Sequence, residues 1–118
     1  LEIKKLKDRQ PYHLSEGEKR KVALASVLAL NPQVLTLDEP LNGLDPRSQR
    51  WLIEFLINLS KAGKTIITST HNIELVHELS TRAVLFDSDH TIVADMPTQD
   101  LLQDKNLLKK VNLVDENY

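Results

Sequence analysis

The sequence contains no cysteine, and it has only three glycines, one methionine and 4% aromatic residues. Without cysteine, a disulfide scaffold, a thiolate zinc site and a cysteine nucleophile are all excluded. No apolar run approaches the roughly 18 residues that a membrane span needs, and the first residues lack the pattern of a signal peptide. We therefore expect a cytoplasmic chain whose chemistry depends on oxygen and nitrogen groups.

Neither sign of charge dominates the 118 residues, a length typical of one small domain. Fifteen Lys and Arg stand against seventeen Asp and Glu, which gives a formal net charge of −2. Such a balance provides no general basic footprint for binding nucleic acid. The hydrophobic content of 41% is ordinary for a soluble globular protein and too high for a disordered one.

Helical and extended hydrophobic patterns alternate along the chain, which predicts an α/β fold. The first helix is expected over residues 15–30, because Ser15 and Glu18 form a capping-box pattern. The dipeptide Asn31-Pro32 then provides a stop signal. Residues 1–12 give little periodic signal and are expected to form a connector or a broken helix.

A second helix is expected between Asp45 and Ala62. Asp45 is a suitable N-cap, Pro46 suits the first helical position, and Gly63 lies where a glycine commonly ends a helix. One face of this helix should be buried, since apolar residues recur at helical spacing. They are Leu52, Phe55, Leu56 and Leu59.

The other expected elements are strands over residues 34–37 and 65–70, a helix over 72–79, a hairpin of strands 83–86 and 91–94 around the turn 87–90, and a helical stretch from Pro97 onward. The strand at 34–37 lacks strict alternation of apolar and polar residues. This pattern is typical of a strand that is covered on both faces in a parallel sheet.

Two adjacent carboxylates, Asp38 and Glu39, follow the strand at 34–37. Open parallel sheets bind ligands beyond the carboxyl ends of their strands. An Asp there can hold Mg²⁺ together with substrate phosphates and water, and a neighbouring Glu can orient or deprotonate an attacking water. A pair of solvated acids is the structural alternative, but the apolar strand before the pair and Pro40 after it favour function.

Three further segments have weaker individual signals. The Ser15 hydroxyl, Gly17 and the amides of a helix N-terminus could together bind an anion, although this segment by itself favours a plain capping box. The turn 42–45 precedes the second helix and by itself reads as structure. His71 follows the strand at 65–70, where it could contact a phosphate, although a lone histidine is more often structural or merely exposed.

In their order and spacing, these segments resemble the C-terminal half of the nucleotide-binding domain of ABC-type ATPases, from about Leu14 to Leu102. Leu14–Glu18 resembles the signature motif, residues 34–39 the Walker B motif with the following glutamate, residues 41–45 the D-loop, and His71 the switch histidine. The resemblance implies the C-terminal part of a P-loop NTPase domain, a mostly parallel sheet flanked by helices with a small C-terminal hairpin and helices. It assigns residues 1–32 to the end of the helical subdomain and residues 33–118 to the core.

The resemblance also implies a role for each residue, with ATP and Mg²⁺ as cofactors. Asp38 would support Mg²⁺, and Glu39 would be the general base or water-positioning carboxylate. His71 would contact the γ-phosphate and sense its loss. The signature residues Ser15, Glu16, Gly17 and Glu18 would face the ATP of the opposite subunit, and Asp45 would communicate across that dimer interface. Phosphoryl transfer depends mainly on such positioning and electrostatics.

The implied partners are a second ATPase subunit and transmembrane transporter subunits, with no nucleic acid expected. The implied location is cytoplasmic and peripheral, on the inner face of the cell membrane. Residues 82–102 are similar to importer-type ATPases, and residues 15–25 are most similar to cobalt, nickel or vitamin importers of the energy-coupling-factor type. The resemblance therefore implies an ATPase subunit that powers solute import.

The sequence departs from the family pattern in two respects. Glu16 and Glu18 stand where the family commonly has Gly and Gln, and we expect the Glu16 side chain to point away from the phosphate site. In addition, no Gly-x-x-x-x-Gly-Lys-Ser/Thr loop occurs, and the chain begins at Leu1 rather than Met. The missing loop and the absent initiating Met together predict that the chain is the C-terminal half of a longer subunit. Alone, it should bind ATP weakly or not at all, and should be marginally stable or self-associate through uncovered strands.

Two alternatives to a transporter ATPase remain open. The chain could be the C-terminal lobe of a split-head ABC ATPase of DNA repair or chromosome organisation, although no heptad pattern precedes Leu14. It could also be a degenerate module that keeps the fold without catalysis. The joint presence of Asp38, Glu39 and His71 favours catalysis over that second alternative.

Overall fold

The computed structural model describes residues 15–111 and 113, in two compact units of which one ends at Thr68 and the other begins at Ser69. The elements in chain order are α1 (Glu16–Leu28), β1 (Val34–Asp38), α2 (Pro46–Lys61), β2 (Thr65–Ser69), α3 (Ile73–Leu79), β3 (Arg82–Phe86), β4 (Ile92–Pro97), α4 (Thr98–Gln103) and α5 (Lys105–Lys110). Within the described residues, β1 pairs with β2 and β3 pairs with β4, in separate two-stranded sheets. The predicted α/β class is confirmed, and the predicted subdomain boundary after residue 32 stays a prediction.

Helix α1 begins as its capping box predicts. The Ser15 hydroxyl accepts a hydrogen bond from the Glu18 backbone N–H (3.1 Å), and the Ser15 N–H donates to the Glu18 carboxylate (3.2 Å). The helix ends at Leu28 rather than at Leu30, because the N–H of Asn31 turns back to the Leu28 carbonyl (2.9 Å). Asn31 then takes a left-handed conformation, with φ of 50°, that ends the helical path.

Helix α2 confirms both predicted ends. The Asp45 side chain accepts from the Ser48 N–H (2.7 Å), and Pro46 occupies the first helical position. At the other end, Gly63 adopts a φ of 99°, which side chains with a Cβ rarely tolerate. The predicted apolar face is buried at Leu52 and Leu56, and Ile53 is buried beside them.

Among the described residues, the sheet of β1 and β2 is covered on one face only, which differs from the two-sided cover that the pattern of β1 suggests and agrees with the expectation that this chain alone leaves its strands partly uncovered. Leu35 is buried, whereas Val34 is 52% exposed and Ile67 on β2 is 55% exposed. Because successive strand side chains point to opposite faces, cover on one side leaves alternate apolar residues in solvent. The covered face of the sheet is the one to which Leu35 contributes its side chain.

An aromatic contact joins α1 to α2. Trp51 stacks on Phe55 within α2, with ring centroids 5.1 Å apart and an interplanar angle of 13°. The ammonium group of Lys21, on α1, lies 4.6 Å from the centroid of the Trp51 ring. A cation–π contact contributes about 0.5–1 kcal/mol at accessible sites, so the Lys21 contact helps to hold α1 against α2, while the stacking fixes the Trp51 ring on α2.

In the second unit, β3 and β4 form the predicted hairpin. The strands are antiparallel from the pair Arg82 and Pro97 to the pair Phe86 and Ile92. Strand β4 reaches Pro97 rather than ending near residue 94, because the Arg82 guanidinium forms two hydrogen bonds with Asp95 on the facing strand (2.8 and 2.6 Å). This cross-strand pair continues the pairing beyond the predicted end.

The turn of the hairpin is built on Asp87. Its carboxylate accepts from the N–H of Asp89 (2.9 Å) and from both the N–H (3.1 Å) and the hydroxyl (2.9 Å) of Thr91. His90 takes a φ of 62°. The left-handed position that glycine commonly fills in such turns is therefore occupied by a histidine.

The C-terminal helical stretch is divided in two at Asp104. The Asp104 side chain accepts from the Leu107 N–H (3.0 Å) and so starts α5 as a new helix. Leu101 and Leu108, one from each helix, are buried with Leu85 of β3 in the core of this unit. Among the described residues, no helix has the length and apolar character that crossing a membrane requires.

Candidate functional site

The signature-like segment lies at the start of α1, apart from Leu14, which is outside the described residues. Ser15 is exposed, and its oxygen is already an acceptor within the capping box, yet a hydroxyl that accepts can still donate its proton. The Glu16 side chain is 64% exposed and pairs with Lys19 (3.4 Å). The Glu18 carboxylate accepts a hydrogen bond from the Ser15 N–H and so completes the capping box. The first turn therefore presents Ser15 and backbone amides, the groups that bind anions at helix starts.

Asp38 and Glu39 follow one another at the carboxyl end of β1. Asp38 is the last residue of the strand and is exposed, and Glu39 is half-buried. Glu39 has a φ of 44°, in the left-handed region that non-glycine residues seldom occupy. Such a conformation costs about 1–3 kcal/mol and persists only where the surroundings enforce it. The strain turns the chain sharply at the carboxylate that the resemblance makes catalytic.

Residues 39–45, hereafter the β1–α2 loop, are held by two side chains that the sequence motifs do not include. The Arg20 guanidinium donates from α1 to the carbonyl oxygens of Pro40 and Asn42, the latter at 3.1 Å. The Gln49 amide donates from α2 to the carbonyl oxygens of Leu41 (3.4 Å) and Leu44 (3.2 Å). The only sequence signal for Arg20 is its position three residues after Gly17, one helical turn along the same face.

The starts of α1 and α2 lie against each other. A Cβ placed on Gly17 would be 2.5 Å from the Ser48 hydroxyl oxygen. The backbone N–H and the hydroxyl of Ser48 donate hydrogen bonds to the Asp45 carboxylate, and they lower its pKa below the ordinary value. The structure thus groups the signature-like segment, the β1–α2 loop and Asp45 in the first unit.

His71 lies in the second unit, just after the end of β2. The N–H of Asn72 donates to the Thr70 hydroxyl (2.9 Å), and the Asn72 side chain caps α3 by accepting from the Glu74 N–H (2.9 Å). These bonds fix the backbone on both sides of His71, whose side chain is exposed. Its approach to the residues of the first unit stays a prediction.

The described residues fit Mg²⁺ as a cofactor shared with substrate phosphates. Asp38 offers a hard carboxylate at an exposed strand end, and Mg²⁺ commonly uses one or two such carboxylates with phosphate and water oxygens. Within residues 15–111 and 113, no three His, Cys, Asp or Glu side chains cluster as a self-sufficient metal site. The chain also fits only part of a nucleotide site, since its 118 residues contain no Gly-x-x-x-x-Gly-Lys-Ser/Thr loop.

Comparisons with known proteins identify the family. Residues 1–77 match the family model described as "AAA domain, putative AbiEii toxin, Type IV TA system". A protein of Methanosarcina acetivorans named "Putative ABC transporter ATP-binding protein" is 53% identical, over 99% of this chain and 42% of the relative. The nickel import ATP-binding protein LarO of Lactiplantibacillus plantarum is 52% identical, over 83% of this chain and 41% of the relative.

A solved structure agrees with these relatives. The protein cbiO1 of Clostridium perfringens, part of the ABC transporter complex cbiONQ, is 34% identical with a TM-score of 0.74, over 92% of this chain and 43% of that one. The chain spans less than half the length of the curated relatives named above. It belongs to the AAA-domain family of the matching model, and its resemblance to the ATP-binding proteins of ABC transporters is confirmed.

Proposed function

We propose that the chain supplies the signature, Walker B, D-loop and switch-histidine portion of an ATP-hydrolysing subunit that powers solute import. The observation that carries the proposal is the left-handed Glu39 directly after Asp38, in a loop held by side chains from two helices. A pair of solvated acids leaving a strand would need neither the strained backbone nor the clamped loop. Strain that the surroundings enforce is typical of functional sites.

Asp38, Glu39 and His71 would each have a separate role in phosphoryl transfer. Asp38 would hold Mg²⁺, which neutralises developing phosphate charge when bound. Glu39 would orient the attacking water and accept its proton, because it is a half-buried carboxylate at a fixed turn directly after the strand. His71 would donate a hydrogen bond to the γ-phosphate. Each of these groups would act by position and charge, as phosphoryl transfer requires.

The start of α1 would complete the site of a second subunit. Ser15 and Gly17, with Glu16 and Glu18 beside them, would face the γ-phosphate bound by the opposite subunit, and Asp45 would contact the partner at the same interface. The direction of Glu16 toward Lys19 supports this arrangement, since it takes a negative charge away from the anion site. Homo- or heterodimers of the ATPase would both satisfy this geometry.

The transported solute would be a metal ion or a vitamin. The support is the relative whose name refers to nickel import, together with the importer-like residues 15–25. The subunit would then work in the cytoplasm, on the inner face of the cell membrane, against transmembrane partners. The phosphate-binding loop would lie outside these 118 residues, and weak or absent ATP binding by them alone stays a prediction.

The test is Glu39→Gln in the assembled ATPase that includes the phosphate-binding loop. We expect ATP turnover to fall by about 100-fold or more, since general base catalysis contributes on that scale, with ATP binding retained. Glu54→Gln, an equivalent change on the exposed face of α2, is the matched control and should leave turnover unchanged. Unchanged turnover in Glu39→Gln would refute the catalytic role of Glu39.

A further inference from the structure

We propose that Arg20 and Gln49 are positioning residues, which hold the backbone of the β1–α2 loop and thereby fix Glu39 and Asp45 relative to the start of α1. The inference rests on the proposed function, because it assumes that Glu39 and Asp45 act in ATP hydrolysis. It adds residues that lie outside the signature, Walker B and D-loop segments.

The contacts of Arg20 span the start of the loop. The half-buried guanidinium donates from its separate amino groups to the Pro40 and Asn42 carbonyl oxygens. A planar guanidinium presents its N–H groups in a fixed fork, so two simultaneous bonds determine the orientation as well as the distance. Pro40 directly follows the strained Glu39. Arg20 therefore acts on the part of the loop nearest the carboxylate.

The contacts of Gln49 hold the rest of the loop. Its amide donates to the Leu41 and Leu44 carbonyls, at 3.4 and 3.2 Å. Leu44 directly precedes the N-cap residue Asp45, so this bond fixes the approach of the chain to α2. With Arg20 bonded to Pro40 and Asn42, carbonyls along the loop alternate between a donor on α1 and a donor on α2.

The loop has little regular structure that could replace these donors. Its own backbone bonds run from the Asn42 N–H to the Glu39 carbonyl and from the Leu44 N–H to the Leu41 carbonyl, both at 3.2 Å, and they leave the Pro40 and Asn42 carbonyls to the Arg20 side chain. Glu39 and Gly43 are both left-handed, with φ of 44° and 78°. Burial of Pro40, Leu41 and Leu44 anchors the loop to the core, but apolar contact alone is not directional. The hydrogen bonds from Arg20 and Gln49 are directional, so they fix the orientation of the loop backbone.

The placement of Arg20 links two parts of the proposed site. It lies on the same helix as Ser15 and Gly17, one turn after the glycine. A shift of α1 that moves the signature-like segment must therefore move the donor that holds the Glu39 end of the loop. Displacements of about 1 Å at a reacting group can cost about 100-fold in rate, so this link is large enough to matter for turnover.

The experiment compares Arg20→Ala, Arg20→Lys and Lys61→Ala in the assembled ATPase. Lys61 is an exposed cation at the end of α2, so its removal matches the charge change without touching the loop. We expect Arg20→Ala to lower kcat by about tenfold or more with KM for ATP within about twofold, because the loop positions the water rather than binding the nucleotide. Arg20→Lys should recover part of kcat, because one ammonium group replaces the fork.

The outcomes separate this inference from the proposed function. The positioning role is overturned if Arg20→Ala keeps the kcat of the unsubstituted protein, or if its kcat equals that of Lys61→Ala. It is also overturned if a lower kcat is accompanied by a higher KM for ATP. Glu39→Gln is assayed in parallel, since full turnover in that variant refutes the proposed function instead. If Arg20→Ala does not fold, the same comparison passes to Gln49→Ala, with Asn58→Ala as the control that removes an exposed amide from the same helix.

Discussion

Gly17 of α1 and Ser48 of α2 approach so closely that the serine hydroxyl occupies the space of a side chain on the glycine. A Cβ at position 17 would lie 2.5 Å from the Ser48 Oγ and 3.2 Å from its Cβ. Real Cβ atoms essentially never show the first distance, so with a side chain at position 17 either the Ser48 hydroxyl or the two helix starts must shift. The requirement is steric, because Gly17 lies within α1, where the helical conformation suits any residue with a Cβ.

Gly17→Ala should lower the free energy of unfolding. Overpacking a close contact costs about 1–3 kcal/mol, and the better helix propensity of alanine returns at most about 1 kcal/mol. Chemical denaturation of the protein and its variant measures the difference. In a Ser48→Ala background, where the hydroxyl is absent, the same substitution should cost less. An equal cost in both backgrounds would show that the Gly17–Ser48 contact is not responsible.

Asp45 should make the stability depend on pH. Hydrogen bonds from Ser48 lower its pKa in the folded state, so the ionised cap stabilises the fold fully above the unfolded-state pKa, whose ordinary value is 3.8. This contribution is lost as the pH falls through the lower folded-state value. Asp45→Asn keeps an acceptor oxygen but not the charge, so the stability difference between protein and variant should shrink in acid.

The measurement for Asp45 is denaturant unfolding at a series of pH values from about 7 to about 2.5. Glu54→Gln provides the control, because Glu54 lies in the middle of α2 and takes part in no cap. If the difference between the protein and Asp45→Asn is constant over this range, the ionised cap does not contribute to stability.

The hairpin should promote self-association of the chain. Phe86 and Ile92 are cross-strand partners, yet they are 55% and 62% exposed. Replacing both by threonine keeps β-branched or strand-compatible residues while removing the apolar surface, so the variant should associate less. Sedimentation velocity over a range of concentrations tests this. Leu30→Ser, which removes a single apolar side chain that is 83% exposed, is the control. Identical sedimentation of the protein and the double variant would contradict the prediction.

Most of the fold could be predicted from local signals, because the ends of its elements are set by residues that act on their own backbone. The Ser15 capping box and the Asp45-Pro46 start are determined within one turn of helix, and the structure reproduces them. The division of the last helical stretch at Asp104 is not predicted, because no Gly or Pro marks a break between Thr98 and Lys110, although the Asp104 side chain caps α5 in the structure.

The candidate site was predictable as a set of motifs but not as a geometry. The place of Asp38 and Glu39 after an apolar strand predicts them as site residues, yet the left-handed backbone of Glu39 has no sequence signature. Arg20 and Gln49 were missed for a related reason. Both donate to carbonyls of the β1–α2 loop, and backbone acceptors are present at every residue, so no pattern of side chains identifies such a contact.

The stacking of Trp51 on Phe55 beneath Lys21 gives the molecule a built-in optical reporter. Trp51 is the single tryptophan of the chain, and it lies where α1 meets α2. Its emission therefore monitors the separation of those two helices. Nucleotide-dependent movement of α1 would be readable from intrinsic fluorescence, with no label and no added probe.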